Sequence, residues 1–443
     1  MKYTVREAAR IMGGKLYRLS GDEVITGVSI DSRTIKKGDM FFGIKGERFD
    51  GTQFAKDAVE KGGVCAIVPE FKKTENVPSI LVDEPVMAMG RLARSYLNSK
   101  LKAKIIGITG SVGKTTTKDL LHRLLSIKYN VSKTQKSQNG FIGLPFTILN
   151  ASEKDDYLVL EYGISKPYEM DYLISIAPPD VAVLTRVGKS HLKFLNTEEE
   201  VAIEKSKLFK ALKMFDIAVL NKNTPLLDFF EAAIPKMVRL LYYETPEIVE
   251  MTTDGTIFKL EGETFKTPLI GKHIITNLVA AILVAKTLGV SIEDIKEEVR
   301  KLTPSPMRLE IIHIGKFTVI NDAYNANPES MKALIDTAND LNFKGKKIFV
   351  LGDMLELGPR SPIFHEEIGR DLASKIPDAV LYTTGNFGKD YIKGARLLKE
   401  KEYFDDIEGI VEKLLDKGDG IIFVKASRGM ALERVIEKLK ERI

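Results

Sequence analysis

Ile105-Ile106-Gly107-Ile108-Thr109-Gly110-Ser111-Val112-Gly113-Lys114-Thr115-Thr116-Thr117 is the stretch whose reading decides the fold. An apolar run with the character of a buried strand empties into a glycine-rich turn, after which Leu120, Leu121, Leu124 and Leu125 recur with helical period. Strand, turn and helix in that order predict a phosphate cradle. Backbone N–H groups of the turn and of the helix start face an anion, the Lys114 ammonium reaches the terminal phosphates, and the Thr115 hydroxyl suits Mg²⁺. Strict phosphate-loop spacing would put the first glycine at Ile108; glycines flank that position instead, which makes the loop a variant.

Working outward, 443 residues predict about three domains. With 44% hydrophobic and 29% charged residues the chain buries substantial cores and is not disordered. A net charge of +5 spread over this length leaves no tract for nucleic acid and no basic patch for a membrane surface. The single cysteine, Cys65, excludes an internal disulfide framework and suits a reducing cytoplasm. No apolar run reaches the ~20 residues of a membrane span, and residues 1–10 lack a signal-peptide core. Abundant Lys and Glu without Trp point weakly to a thermophile.

The chain reads as α/β in three domains. Residues 1–98 hold short strands at 25–30, 40–44, 64–68 and 80–82, with helices at 52–61 and 85–99. Residues 99–306 begin at the phosphate-loop strand and continue with aliphatic strands at 157–161, 181–185 and 217–221, the composition of a parallel sheet. A hairpin at 256–267 and an apolar helix over 276–288 follow, and Thr303-Pro304-Ser305-Pro306 closes the block. Residues 307–443 alternate strand and helix four times, with strands at 317–321, 347–351, 379–383 and 421–425 and a last helix from Met430. That pattern predicts a doubly wound, Rossmann-like domain.

Parallel sheets place their chemistry at the carboxyl ends of the strands. Glu161 closes one such strand and is read as an Mg²⁺ ligand or as a solvated strand-end acid. His191, just past the strand at 181–185, is by itself a loop histidine. Lys205 falls in the apolar stripe of a helix read from 198 to about 215, with Val201, Leu208 and Leu212. It either snorkels or has a task there; burial favours the neutral amine, which can take up CO₂ as a carbamate. In Asn321-Asp322-Ala323-Tyr324-Asn325-Ala326-Asn327-Pro328, a helix cap explains Asn327 and Pro328 but not the crowding of Asp322, Tyr324 and Asn325. Arg308 at the second boundary serves a bound phosphate or an interdomain ion pair.

These residues, together with Asn277 and Met307-Arg308-Leu309-Glu310, resemble in order the signature positions of the Mur ligase family, ATP-dependent amide ligases of peptidoglycan precursor synthesis. Tyr324 to Ser330, the segment Leu351 to Gly358 with His365, and Lys425-Ala426-Ser427-Arg428-Gly429 resemble the subgroup that joins D-Ala-D-Ala to UDP-N-acetylmuramoyl-tripeptide. No Asp-Asn-Pro-Arg segment of the third-residue ligases is present.

The resemblance implies a cytoplasmic, monomeric enzyme with ATP, two Mg²⁺ ions and a carbamylated Lys205. Lys114, His191, Lys205 and Arg308 would be catalytic, with Thr115, Glu161 and His191 on metal. Gly110, Ser111, Val112, Gly113, Lys114, Thr115, Thr116, Asn277, Arg308, Asp322 and Asn325 would hold the nucleotide. Ser29, Asp31, Ser32, Arg33, Lys45, Gly46, Asp50 and Gly51 would take the UDP-sugar, while Asn139, Tyr324, Asn327, Asp353, Ser427 and Arg428 would contact substrate. Departures from the family pattern are Ser111 for Thr, Met307 where glycine is common, Lys207 for an acid, and Ile274 for an Asn. A sister ligase, such as the folylpolyglutamate synthetase type, and an ATP-gated module without turnover are the rival readings.

Overall fold

The computed structural model of the protein describes residues 1–46, 49–135, 138–188, 195 and 197–443. Two compact units emerge, Met1–Tyr242 and Tyr243–Ile443. Their boundary falls inside the block 99–306, so the hairpin and the apolar helix after it belong to the second unit.

The first unit holds two main sheets. The five-stranded sheet runs Lys15–Tyr17, Ser79–Val82, Cys65–Pro69, Asp39–Phe42, Gly27–Ser29, parallel except at the Lys15–Tyr17 edge. The six-stranded sheet runs Arg239–Tyr243, Ile217–Asn221, Val181–Leu184, Lys104–Thr109, Tyr157–Glu161, Val131–Lys133. Its phosphate-loop strand is central and parallel to both neighbours, with Ile108 opposite Glu161 and Thr109 opposite Leu184. The chain leaves this strand toward one side and later returns on the other, so the loop after Thr109 emerges at a topological switch point. Burial on both faces explains the unbroken Ile, Leu and Val runs, with Ile106, Ile108, Leu158, Val159, Leu160 and Val183 fully buried.

In the second unit, Glu247–Thr252, Gly255–Leu260 and Glu263–Thr267 form an antiparallel sheet beside the helices Lys272–Thr287 and Ile292–Val299. A second, six-stranded sheet runs Glu310–Ile314, Phe317–Asn321, Gly420–Lys425, Lys347–Leu351, Val380–Thr384, Glu400–Phe404. Four of these strands were expected. The two edge strands carry polar side chains, such as Glu310 and His313 or Glu400, Lys401 and Glu402, because one side of an edge is not covered by a neighbouring strand.

Three helix boundaries differ from expectation. The Lys205 helix spans Glu198–Lys210 and stops short of Phe215, which is left-handed at φ 72°. The apolar helix begins earlier, at Lys272, behind Gly271 at φ 91°. The last helix is Arg434–Arg442, held off from Met430 by a 3-10 turn and a left-handed Ala431.

His365 shows how side chains fix loop geometry in this unit. It is fully buried, donates from Nδ1 to the Ser361 carbonyl (2.6 Å) and accepts the Met354 N–H at Nε2 (2.9 Å). Burial pushes its pKa below the ordinary 6.5, opposed by the Ser361 bond and by Asp353 and Asp390. A depressed histidine leaves the unfolded chain binding more protons, so its stabilisation is lost as pH falls below about 6.5. Urea unfolding at pH 8 and pH 5.5 is expected to show a larger acid loss for the natural chain than for His365→Gln; equal losses would refute the assignment.

Candidate active site

Gly110 and Gly113 adopt φ 147° and 88°. A Cβ on Gly110 would lie 2.0 Å from Thr185 Oγ1, so that position accepts only glycine. Thr185 braces the loop by donating to the Thr109 and Val112 carbonyls (3.1 and 2.6 Å), and Ser111 N–H donates to the Arg186 carbonyl (2.7 Å). The Ser111 hydroxyl replaces threonine without loss, donating to the Gly188 carbonyl at 3.0 Å. Lys114, Thr115 and Thr116 open the helix Lys114–Leu125, and an α-helix leaves its first N–H groups without intrahelical acceptors. That end of the helix attracts anions. Lys114 Nζ lies over the loop, donating to the Gly110 and Ser111 carbonyls (2.7 and 3.2 Å).

Glu161 is buried at the end of its strand, and sheet register puts it beside the loop. Its carboxylate accepts from Thr115 Oγ1 (3.0 Å) and from Asn139 Nδ2 (2.7 Å). Thr134 Oγ1 accepts the Glu161 N–H at 3.0 Å. Gly163 completes the Glu-Tyr-Gly motif: a Cβ there would meet the Asn139 amide at 2.5 Å, so its absence lets Asn139 reach Glu161.

Lys205 is fully buried, and its Nζ has no hydrogen-bond partner among the described residues. Burial drives its pKa far below the ordinary lysine range, nearby Lys114 acts the same way, and Glu161 and Glu204 oppose them. Burial thus favours the neutral amine, whose lone pair is nucleophilic. Lys207, which stands where the family has an acid, donates to Asp171 (2.5 Å) and Glu204 (2.6 Å). Glu204 also accepts the Met170 N–H (3.1 Å), which straps this helix to the start of the helix Glu169–Ile176. His191 lies outside the described residues. Among the described residues no cluster of three or more His, Cys, Asp or Glu is arranged to hold a metal.

The loops expected to take the UDP-sugar follow the strands Gly27–Ser29 and Asp39–Phe42 of the five-stranded sheet. Ser29 Oγ donates to the Asp31 carbonyl (2.9 Å). Arg33 grips Asp31 through Nε (2.9 Å) and Nη2 (2.7 Å), lowering the Asp31 pKa to about 2. Ser32 is buried. Lys45 bridges Asp50, Gly46 N–H donates to the Phe49 carbonyl (2.9 Å), and Gly51 packs where a Cβ would meet the Ile44 carbonyl at 2.4 Å.

In the second unit Asn277 is buried in the second turn of its helix, and Asn327 caps the helix Pro328–Asp340 by accepting the Ser330 N–H (2.8 Å). The Arg308 guanidinium stacks 4.1 Å over Tyr324. Lys425 Nζ binds Asp322 Oδ2 (2.6 Å) and the Asn325 carbonyl (2.9 Å). Asp353 is buried with both oxygens taken by the N–H groups of Asn386 and Phe387 (2.8 and 2.9 Å), and Ser427 Oγ accepts the Leu355 N–H (2.9 Å). These two side chains therefore shape loops, whereas Arg428 is exposed and pairs with Glu433 (2.6 Å). Sequence reading missed Thr134, Thr185 and the Glu204–Lys207–Asp171 strap. Only Thr185, a hydroxyl ending a buried strand, carried a signal.

No helix among the described residues is long and apolar enough to cross a membrane. Three family models match: the Mur ligase family catalytic domain over residues 24–97, the Mur ligase middle domain over 108–285, and the Mur ligase glutamate ligase domain over 307–428. The UDP-N-acetylmuramoyl-tripeptide–D-alanyl-D-alanine ligase of Bacillus subtilis is 38% identical over 456 residues, covering 100% of this chain and 99% of the relative. Among solved structures, MurF from Acinetobacter baumannii superposes with a TM-score of 0.90 at 27% identity, covering 100% of this chain and 99% of the other. The MurF ligase of Thermotoga maritima in complex with ADP superposes with 0.82 at 32% identity, covering 94% and 97%.

Proposed function

The chain belongs to the Mur ligase family, and from that premise we propose that it joins D-alanyl-D-alanine to UDP-N-acetylmuramoyl-tripeptide while ATP is converted to ADP and phosphate. It is a ligase of peptidoglycan precursor synthesis. The observation that carries this reading is the sheet edge shared by the phosphate loop and the buried Glu161 carboxylate bonded to Thr115, with the buried amine of Lys205 near enough to feel both Lys114 and Glu161. A nucleotide switch needs only the first of these.

The donor set fits Mg²⁺: a hydroxyl and a carboxylate are hard oxygen ligands, and they already approach within 3.0 Å. Thr115 and Glu161 would hold one ion beside the phosphates, with Asn139 fixing the carboxylate. His191 is assigned to a second ion. Bound Mg²⁺ neutralises phosphate charge and polarises the transferred group. The orphaned Lys205 amine fits a carbamate, since a neutral buried amine adds CO₂ and releases a proton, replacing an unsatisfied group with a carboxylate.

In the reaction the tripeptide's terminal carboxylate takes the γ-phosphoryl group and becomes an acyl phosphate. The dipeptide amine attacks the acyl carbon, and the tetrahedral intermediate expels phosphate. Lys114 carries the charge that neutralises the β/γ-phosphates, and the loop N–H groups orient them. Residues 1–98 are assigned to the UDP-sugar-peptide, 99–306 to ATP, and 307–443 to the incoming dipeptide. Asn277, Arg308, Asp322 and Asn325 are assigned to the nucleotide, and Tyr324, Asn327 and Arg428 to substrate; Asp353 and Ser427 act by shaping the loops around it. The UDP-linked substrate proposed for this chain supports a cytoplasmic setting.

The test is ADP and phosphate release with Mg·ATP, UDP-muramoyl-tripeptide and D-Ala-D-Ala, omitting each in turn. Release of ADP that requires both peptide substrates is expected. Release indifferent to D-Ala-D-Ala but stimulated by another amine would move the chain to a sister ligase, and no substrate-dependent release would refute ligation.

A further inference from the structure

Arg308 sits between two strained residues. Met307 and Leu309 are left-handed at φ 57° and 52°, a conformation that L side chains rarely adopt. Such strain persists only where surrounding bonds over-determine the backbone. Here they do: Met307 N–H donates to Glu310 Oε2 (3.1 Å), Arg308 N–H to the Ser305 carbonyl (3.1 Å), and Leu309 N–H to Asp322 Oδ1 (3.3 Å). The Met307 carbonyl in turn accepts the Tyr324 N–H (3.2 Å), placing under Arg308 the ring on which its guanidinium stacks.

The group that holds Asp322 in place is Lys425. Its side chain is almost wholly buried (3% exposed), and its ammonium reaches Asp322 Oδ2 (2.6 Å), the Asn325 carbonyl (2.9 Å) and the Asp322 carbonyl (3.4 Å). Three donors thus meet three acceptors on the one loop that also binds Leu309 and carries Tyr324. Lys425 itself ends a central strand, between Phe317–Asn321 and Lys347–Leu351, so this anchor is rigid.

We propose that Lys425 is a positioning residue for ligation: through Asp322 it holds the left-handed turn that sets Arg308 on Tyr324. A rigid strand end thereby fixes, through two hydrogen bonds and the peptide link at Leu309, the guanidinium of Arg308. The proposal rests on the assignment of Arg308 to the nucleotide.

The experiment is a double-mutant cycle on the full chain, measuring steady-state ligation with Lys425→Met, Arg308→Ala and the pair. Lys425→Met is expected to lower kcat about 100-fold, the scale of a misplaced catalytic group, with KM for the UDP-substrate unchanged. In the Arg308→Ala background the same substitution is expected to cost less than about threefold, because residues acting in series are not additive. A full additional loss there, or a kcat within about threefold of natural for Lys425→Met alone, would overturn the proposal. Full activity of Arg308→Ala would instead overturn the Arg308 assignment and the proposal with it. Thermal unfolding checks that each variant folds. If Lys425→Met does not, Lys425→Leu, which likewise removes the donors, carries the cycle with the same criteria.

Discussion

Replacing Lys205 with alanine is expected to lower the ligation rate by about 10³-fold while ADP affinity stays within about threefold, the pattern of an interaction made in the transition state rather than on nucleotide binding. The amine is fully buried, has no hydrogen-bond partner among the described residues, and burial and Lys114 both push it toward the neutral form. A group in that state is a cost to folding unless chemistry needs it. Arginine separates the two roles open to it: a guanidinium keeps the positive charge but stays protonated and does not condense with CO₂. Lys205→Arg is therefore expected to be as inactive as Lys205→Ala, and carbon-13 bicarbonate is expected to label the natural chain but neither variant. Near-natural turnover in either variant would sink the carbamate. The same reasoning predicts that Lys205→Met unfolds a few degrees higher than the natural chain, because an apolar side chain of similar length replaces an unsatisfied polar atom. Stability rising as activity falls would be the signature of a functional strain.

Glu161→Gln is the second large effect. The amide preserves size and still meets Thr115 and Asn139, so loss of charge is isolated from loss of packing. The rate is expected to fall about 100-fold, and the Mg²⁺ concentration giving half-maximal rate to rise about tenfold, since a neutral oxygen is a poorer ligand for a hard cation. A magnesium titration of ligation reads both quantities. An unchanged Mg²⁺ requirement would remove Glu161 from the metal and leave it as a brace for Thr115. Melting temperature should not fall, because glutamine removes a buried charge without orphaning its donors.

Much of this site was legible before any coordinates. Strand, glycine turn and Lys-Thr helix start lie within thirteen consecutive residues, and a cradle made of backbone is encoded where it stands. Glu161 could be found because parallel strands end where their chemistry lies, and Lys205 because a lysine in an apolar stripe breaks the pattern around it. Reading is silent where neighbours arrive from distant parts of the chain. Asp353 and Ser427 look like substrate contacts in a motif, and only the structure shows that their polar atoms also accept backbone N–H groups at Asn386, Phe387 and Leu355. The edge strands Glu310–Ile314 and Glu400–Phe404 escaped notice because a half-exposed strand carries no continuous apolar run.

The sequence by itself determined the phosphate loop, the α/β class, the order of the strands along the chain and the family, because each follows from contiguous residues and their period. Tertiary structure alone decided that Lys205 has no hydrogen-bond partner among the described residues, that Asn139 reaches Glu161 across Gly163, and that Met307 and Leu309 are held left-handed around Arg308. Those facts depend on which distant donors and acceptors meet, and on how much water the fold removes from between them. Hydrogen bonding and desolvation are properties of the neighbourhood, not of the residue, and the neighbourhood exists only once the chain has folded.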